Sequence, residues 1–505
     1  MPLIYNFGAM RSFVGVRVIL YAQKSLDGFY LIKMIGTAMP QQKEKYPSTF
    51  NIEDFNSTTV LTKNALQKEK ESKGEIECYN PYEHRHLDHP NTFAGALIHL
   101  LKTSLGTGIL AVPFAFRSVG FGTGLIGTVL IGALCTHTVT LLVSASQRMC
   151  RQTQVPQLSF SETVETVFKN GPEQVRGWST FSRIFVEIGL ILTYLFSDSV
   201  YSVFVGTSLK EIVDFYCPDA RSYGMEYYLI AQMIPLLFLC QIRPLKFLVP
   251  FSTIANGSMV IAFAITFFYM FRDAEHVEVS ERSVAKADVM GVPHFVSTVV
   301  FAMEGIGAIM PLENSMVEEG FLGCPGVLYI AMCSIITLYA SIGFVGYYAY
   351  GDGTQASIIT NLPTDEWASQ VARGCIALSI FFTFMLQFYV PMEITWKNVK
   401  QHIPKNARNI AQILIRLAGV IFAIGVAIAV PDLSALISLV GAVFFSTLGI
   451  FVPALVDTII KWEDGLGAYN WILIKNILIC IFSVFALVSG GYFAILEMVY
   501  PVHKD

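Results

Sequence analysis

Two apolar stretches of the chain share the same order of chemically informative residues. The first, Ile98–Pro113, contains a Gly-Thr-Gly triplet at residues 106–108, and the second, Met303–Pro311, contains Gly305 and Gly307. In each stretch a proline follows the glycines. Glycine inside a helix costs about 1 kcal/mol relative to alanine. Both stretches therefore predict either an interrupted helix or unusually close packing between helices.

An interrupted membrane helix exposes backbone groups that can bind a charged ligand. Amides at the start of a half-helix attract a carboxylate, and freed carbonyls attract an ammonium group or a cation. A zwitterionic amino acid carries both charges, so the predicted partner is a small-molecule amino acid bound between the interruptions, near the bilayer midplane. The predicted substrate-binding residues are Ser104, Gly106, Thr107, Gly108, Phe301, Glu304, Gly305 and Gly307, with Tyr194 and Tyr201 as side-wall candidates that apolar packing explains equally well.

Ionisable residues at membrane depth are costly and usually functional. His99 lies seven residues before Gly106, and histidine is the side chain that can bind and release a proton near neutral pH, which predicts a role in proton coupling; the alternative is a histidine hydrogen-bonded within the helix bundle. Glu304 could bind the substrate's ammonium group, hold the coupling proton or cap the second half-helix. Lys102 and Glu313 are candidates for an ion pair, although Glu313 could instead face the membrane interface.

The remaining polar clusters predict little chemistry. His137 is a further candidate for a proton site, with a structural role as the alternative. His84, His86 and His89 have no cysteine partners at zinc-finger spacing, so no metal site is predicted. The sequence contains no P-loop, dinucleotide fingerprint or hydrolase motif. We therefore predict neither an enzyme nor an ATP-driven pump, and no cofactor apart from a coupling proton, H+.

Composition and length predict the elements that position these residues. Of the 505 residues, 53% are hydrophobic and only 14% are charged, against roughly 25% charged residues in soluble domains. The net charge of −4 gives no basic surplus, so no nucleic-acid partner is predicted. A membrane-spanning helix needs about 20 apolar residues. The sequence predicts an all-α polytopic protein of the lipid bilayer with about eleven spans, at residues 92–117, 121–146, 178–209, 226–242, 247–271, 293–313, 325–349, 368–395, 409–430, 433–458 and 471–499.

The two interrupted stretches lie in spans 1 and 6, which begin two five-helix halves. This correspondence is typical of an inverted-repeat transporter with broken helices 1 and 6. The transporter domain would cover 92–499, with repeats at about 92–271 and 293–458 and an eleventh helix at 471–499. Lysine and arginine are concentrated in the loops after spans 2, 4 and 8, which places the N-terminus in the cytoplasm and residues 500–505 outside.

Residues 1–91 are predicted to form a cytoplasmic N-terminal tail that is largely disordered. Residues 41–75 are rich in Lys, Glu, Ser and Thr, a composition typical of disorder. Residues 1–38 carry four basic side chains and one acidic side chain among apolar positions, which is consistent with a targeting segment. The alternative is translation from Met39.

Three motifs and a lead-in segment carry a family resemblance. The motifs are Leu97-Ile98-His99-Leu100-Leu101-Lys102 with Leu105-Gly106-Thr107-Gly108-Ile109-Leu110 and Pro113, Glu304-Gly305-Ile306-Gly307 with Pro311-Leu312-Glu313-Asn314, and Leu386-Gln387-Phe388-Tyr389-Val390-Pro391-Met392-Glu393-Ile394. The lead-in is Asn80-Pro81-Tyr82 with His84-Arg85 and His89-Pro90. Together they resemble the proton-coupled amino acid transporter family, within the amino acid/auxin permease group, and in particular its insect members.

The resemblance implies eleven spans with a LeuT-like architecture and proton-driven symport of small neutral amino acids such as glycine, alanine or proline. It also implies that His99 is the proton-linked residue. Family members often pair an external cysteine after span 3 with one that follows an Asn-Leu-Pro motif. Here Asn361-Leu362-Pro363 is followed by Thr364-Asp365-Glu366, so Cys217 lacks that partner and the disulfide is not expected.

We therefore hypothesise a secondary transporter that moves a small amino acid together with a proton toward the cytosol, in the plasma membrane or an endolysosomal membrane. Two alternatives need the same pocket. One is an amino acid sensor with little flux, whose tail would contact growth-signalling partners. The other is a sodium-coupled amino acid carrier.

Overall fold

The chain divides into two compact units, Met1–Glu77 and Cys78–Asp505. The computed structural model describes residues 17–24, 30–37, 79–85, 87, 90–104, 106–243, 247–275, 277, 282–286, 288, 290–303 and 305–500. In the first unit, strands β1 (Arg17–Lys24) and β2 (Tyr30–Thr37) pair antiparallel. Both strands are rich in Val, Ile, Leu and Tyr, several of which favour strands. This hairpin was not predicted from the sequence, and residues 41–75 lie outside the described residues.

The second unit is built from long apolar helices. Backbone groups in lipid must be satisfied within one segment, and a helix achieves this. The helices are α1 (Phe93–Ser104), α2 (Gly108–Val119), α3 (Phe121–Thr153), α4 (Phe160–Asn170), α5 (Ser179–Tyr216), α6 (Met225–Leu239), α7 (Val249–Ala274), α8 (Gly291–Ala302), α9 (Ile306–Asn314), α10 (Val327–Tyr350), α11 (Trp367–Val399), α12 (Arg408–Ala429), α13 (Leu433–Lys461) and α14, which joins Trp471–Phe485, Ala486–Gly490 and Gly491–Val499.

The helices of the second unit confirm the predicted all-α polytopic membrane architecture for that unit. In the part of the chain that the structure describes, nine segments are long and apolar enough to cross a membrane, with α8 and α9 counted together, and the bent pair α1 and α2 makes a tenth. The predicted span at 226–242 corresponds to α6, an apolar helix of 15 residues. At 1.5 Å per residue it is about 22 Å long, which is shorter than the roughly 30 Å hydrocarbon core. The two-repeat arrangement stays a prediction.

Long helices pack against the interrupted ones. Helix α5 packs along α11, and α10 packs against α1, α2 and α3. Helix α8 packs against α2 and against Val440–Phe451, a π-helical segment of α13. Such π-helical segments often occur at functional sites. Helices α10 and α13 therefore pack directly against the interrupted helices.

A glycine sets the reversal between α2 and α3. Gly120 has φ +87°, a left-handed conformation that side chains other than glycine rarely adopt. A Cβ at this position would also lie 2.8 Å from the carbonyl oxygen of Ser283. The chain can therefore turn sharply at the end of span 1 only because this residue is glycine.

The segment before α1 packs into the helical unit. Tyr82 and Arg85 are buried, and the amide of Asn91 donates to the carbonyl of Ser315 at 2.9 Å. The sequence predicts that residues 79–91 belong to the tail. The structure instead includes the described part of this segment in the helical unit, because its polar side chains bond to the end of α9.

Candidate functional site

Both interrupted stretches are broken in the structure. Helix α1 ends at Ser104 and α2 begins at Gly108, with a bend of 53° between the two helices. Helix α8 ends at Ala302 and α9 begins at Ile306. The positions predicted from the glycines and prolines are confirmed.

The two breaks lie against each other. A Cβ added at Gly108 would lie only 2.6 Å from the Cα of Ala302, and one added at Gly305 would lie 3.9 Å from the Oγ of Ser104. Only glycine at position 108 allows α2 to begin this close to the end of α8. The breaks therefore form one junction at the centre of the bundle.

Two tyrosines of α5 line one side of this junction. The hydroxyl of Tyr201 would be 3.6 Å from a Cβ at Gly106, and it is hydrogen-bonded to the side chain of Thr107. The hydroxyl of Tyr194 occupies the space that a Cβ at Gly307 would need. Both tyrosines therefore lie beside the junction, where a side wall was predicted. Their role in substrate binding stays a prediction.

Four half-helix ends meet at the junction. The N-termini of α2 and α9 carry amides that have no acceptor within their own helices, and the C-termini of α1 and α8 carry the corresponding carbonyls. Partial positive and negative charges therefore lie side by side. One of these carbonyls, that of Ser104, accepts a hydrogen bond from the hydroxyl of Tyr339 on α10. Sequence reasoning missed Tyr339 because nothing in its local pattern connects it to span 1.

A cavity of about 20 Å³ lies beside the junction. This volume holds about one water molecule. Phe301 packs against Phe445 of α13, with the ring centroids 5.7 Å apart. The cavity is lined by Leu100, Ser104, Thr138, Met303, Gly305 and Phe445, among others.

The ionisable residues predicted around span 1 are separated. The side chain of His99 is exposed on α1, and Glu304 lies outside the described residues. The predicted ion pair between Lys102 and Glu313 is wrong. The Nζ of Lys102 instead donates to the Oγ of Ser252 on α7 at 2.6 Å, and the carboxylate of Glu313 pairs with Arg85.

Glu313 is the centre of a buried polar cluster that sequence reasoning missed. Its carboxylate pairs with Arg85 at 3.0 Å and accepts hydrogen bonds from Tyr82 Oη at 2.8 Å and from Gln147 Nε2 at 3.1 Å. These partners come from the lead-in segment and from α3. The available signal was the Tyr82 and Arg85 lead-in motif, whose role the sequence alone did not indicate.

His137 has partners within the bundle. Its Nε2 lies 3.0 Å from the Nζ of Lys475 on α14, which in turn lies 3.7 Å from the carboxylate of Asp457. These contacts agree with the structural alternative for His137. Among the described residues, no group of three or more His, Cys, Asp or Glu residues could hold a metal ion.

Comparisons with known proteins agree with these features. Residues 89–496 match the family described as "Transmembrane amino acid transporter protein". The chain is 37% identical to "Proton-coupled amino acid transporter-like protein pathetic" of Drosophila melanogaster, over 83% of this chain and 88% of that protein. It is 24% identical to "Amino acid transporter AVT3C" of Arabidopsis thaliana, over 81% and 90% of the two chains.

Two solved structures are also similar at low sequence identity. MhsT in complex with L-phenylalanine has a TM-score of 0.46 at 12% identity, over 80% of this chain and all of that one. Mhp1 in an inward-facing conformation has a TM-score of 0.49 at 13% identity, over 82% and 93%. The matching family and both sequence relatives are described as transporters rather than enzymes. The chain belongs to the transmembrane amino acid transporter family.

Proposed function

We propose that the chain is a proton-coupled symporter that moves small neutral amino acids, of the glycine, alanine or proline type, toward the cytosol. Its N-terminus would lie in the cytoplasm. The observation that carries this proposal is the junction of the two breaks, where Gly108 adjoins Ala302 and Gly305 adjoins Ser104. A relative with 37% identity is named as proton-coupled, which supports the choice of coupling ion.

The junction suits both charges of an amino acid. Amides at the start of α2 and α9 would bind the carboxylate, and carbonyls at the end of α1 and α8 would bind the ammonium group. The choice of small neutral substrates rests on the resemblance to the proton-coupled amino acid transporter family.

Transport would require the helices around the junction to move. A cavity of about 20 Å³ is too small for any amino acid, so substrate entry must separate the half-helices from α5 or α13. Residues at the breaks lack a continuous helical ladder, and such positions are the ones that absorb changes in φ and ψ. Alternating access around the junction would follow.

A neutral amino acid carries no net charge, so symport with one proton moves one positive charge per cycle. Uptake should then respond both to a pH gradient and to the membrane potential. His99, with its exposed side chain on α1, is the proposed proton-linked residue. Loss of its proton in the cytosol would return the empty carrier.

The test is uptake of labelled glycine, alanine, proline and leucine by the purified chain in proteoliposomes without sodium. An imposed inward proton gradient should drive accumulation, and His99→Ala should abolish it. Uptake indifferent to both pH and potential would refute proton coupling. Uptake that requires sodium would favour a sodium-coupled carrier, and saturable binding without accumulation would favour a sensor.

A further inference from the structure

Helix α5 contains a carboxyl group in the interior of the bundle. Asp198 is 0% exposed, and neither carboxylate oxygen has a hydrogen-bond partner among the described residues. The residue lies near the middle of a 38-residue helix that is apolar enough to span the membrane. An ionised carboxylate is strongly disfavoured where it is buried without a partner. Such surroundings favour the neutral, protonated form of the Asp198 side chain.

Asp198 is positioned between the two contacts that α5 makes with the breaks. Tyr194 precedes it by four residues and Tyr201 follows it by three, so all three lie on neighbouring positions of one helical face. Tyr194 meets α9 at Gly307, and Tyr201 meets the first break at Gly106. A movement that opens either break therefore disturbs a residue one turn away from the carboxyl group.

None of the other groups near Asp198 is expected to gain or lose a proton in its place. Tyr201 lies on the same helix as Asp198, and Cys240 lies at the end of α6. Each of them is close enough to Asp198 to interact with it electrostatically. Arg416 reaches this region from α12, but its Nη1 donates to the carbonyl of Cys240 at 2.8 Å. No described cation forms an ion pair with Asp198. Tyrosine and cysteine are ordinarily neutral at physiological pH.

We infer that Asp198 binds and releases the coupling proton at the side of the junction. In the arrangement described here, the neutral acid is compatible with burial. When a break opens and admits water, the O–H bond of the carboxyl group breaks, water accepts the proton and the carboxylate is hydrated. The inference rests on the proposed function, and it makes Asp198 a second site, besides His99, that the one coupling proton occupies during the cycle.

The experiment compares two transport modes of the full chain in sodium-free proteoliposomes. Accumulation of labelled alanine under an inward proton gradient requires coupling, whereas counterflow of labelled alanine against unlabelled alanine at equal pH does not. The variants are Asp198→Asn, which has the size of the protonated acid, and Asp198→Glu, which can still titrate. Asp214→Asn is the control, because Asp214 is on the same helix and pairs with Lys210.

We expect Asp198→Asn to reduce gradient-driven accumulation at least tenfold relative to wild type. Counterflow should stay within about twofold of wild type. Asp198→Glu should recover accumulation, with a shifted pH dependence, and Asp214→Asn should resemble wild type. Normal accumulation by Asp198→Asn would overturn the inference. Loss of both modes by a variant that still elutes as a folded protein would also overturn it, since Asp198 would then bind substrate or stabilise the site.

Further results distinguish a failure of the Asp198 inference from a failure of the proposed function. If Asp198→Asn does not fold, the pH profile of Asp198→Glu decides, and a profile identical to wild type contradicts the inference. If wild type itself accumulates no alanine under the gradient, the proposed function fails. If wild type accumulates alanine and Asp198→Asn does so equally, only the role of Asp198 fails.

Discussion

Arg85 and Glu313 form an ion pair that is closed off from solvent. The Nη2 of Arg85 lies 3.0 Å from Oε2 of Glu313, and each side chain is 1% exposed. The Nη1 of Arg85 also donates to the backbone carbonyls of Glu313 and Met316, at 2.8 and 2.9 Å. The pair thus fastens the segment before α1 to the C-terminal end of α9.

Removing Arg85 should therefore strongly destabilise the helical unit. Arg85→Ala leaves a carboxylate buried and unpaired, which typically costs about 3–5 kcal/mol, and chemical or thermal unfolding in detergent would measure the loss. Arg151→Ala is the matched control. Arg151 pairs with Glu319 at the same distance of 3.0 Å, but the side chains are 48% and 57% exposed, so it should cost only about 0–1 kcal/mol. Equal losses for both variants would contradict the structure.

Gly307 should be intolerant of a methyl group. In Gly307→Ala the new Cβ would overlap the Tyr194 hydroxyl, and overpacking of this kind typically costs about 1–3 kcal/mol. We expect at least a tenfold loss of amino acid uptake. Gly374→Ala, on α11, has no atom within 4 Å of its new Cβ and should keep uptake while stabilising the helix by about 1 kcal/mol. The ring carbons Cζ and Cε2 of Tyr194 would also lie 2.6 and 2.9 Å from the new Cβ, so the rescue variant is Tyr194→Leu, which removes them together with the hydroxyl. Adding Tyr194→Leu to Gly307→Ala should restore part of the activity, and no restoration would mean that Tyr194 is not the obstacle.

Local signals were sufficient to predict the breaks but not the partners of the charged residues. Glycine and proline act on the helix that contains them, so spans 1 and 6 were predicted to break where they do. The pairing of Arg85 with Glu313 joins residues separated by 228 positions, and no spacing along one helix encodes such a contact. Lys102 illustrates the same limit, since only the position of α7 determines that it bonds to Ser252.

Asp198 shows what composition indicates and what it leaves open. An aspartate in the middle of a long apolar helix is visible in the sequence, although no role was predicted for it. Its lack of partners among the described residues depends on α6 and α12, which approach it from elsewhere in the chain. Sequence can therefore single out such a residue, but only the packing shows that its carboxyl group is unpaired.

His99 should affect coupling without affecting stability. Its side chain is exposed, so His99→Ala should change the free energy of unfolding by less than about 0.5 kcal/mol. Gradient-driven uptake should nevertheless be lost. His402→Ala removes an exposed histidine outside the predicted spans and should leave both quantities unchanged. A His99→Ala protein with normal gradient-driven uptake would exclude the proposed proton role of His99.

Glu162 should make stability depend on pH in the acidic range. Burial raises its pKa, but hydrogen bonds from Ser159 and Lys397 outweigh this effect and lower the pKa of Glu162 from 4.5 to about 2. Because the pKa is lower in the folded state, the ionised carboxylate stabilises the protein above about pH 4.5, and this contribution is lost as the pH falls toward 2. Glu162→Gln should cost about 1 kcal/mol at pH 7.

Unfolding at pH 7, 5 and 3.5 would measure this dependence. The difference between wild type and Glu162→Gln should be constant from pH 7 to 5 and smaller at pH 3.5. Glu173→Gln, at an exposed position in the adjacent one-turn helix, should have no such effect. A difference that is independent of pH would show that Glu162→Gln destabilises the protein because the amide fits the site poorly, and not because the negative charge is lost.

Two exposed cysteines can test the predicted orientation in the membrane. Cys217 follows α5 and Cys324 lies between α9 and α10, and both are free thiols. With the N-terminus in the cytoplasm, Cys324 faces the cytosol and Cys217 faces the opposite side. In sealed microsomes, an impermeant maleimide should label Cys324 directly and Cys217 only after detergent opens the membrane, with Cys217→Ser and Cys324→Ser assigning the two signals. The opposite pattern would invert the orientation, and labelling of Cys217 only after reduction would show that it has a disulfide partner.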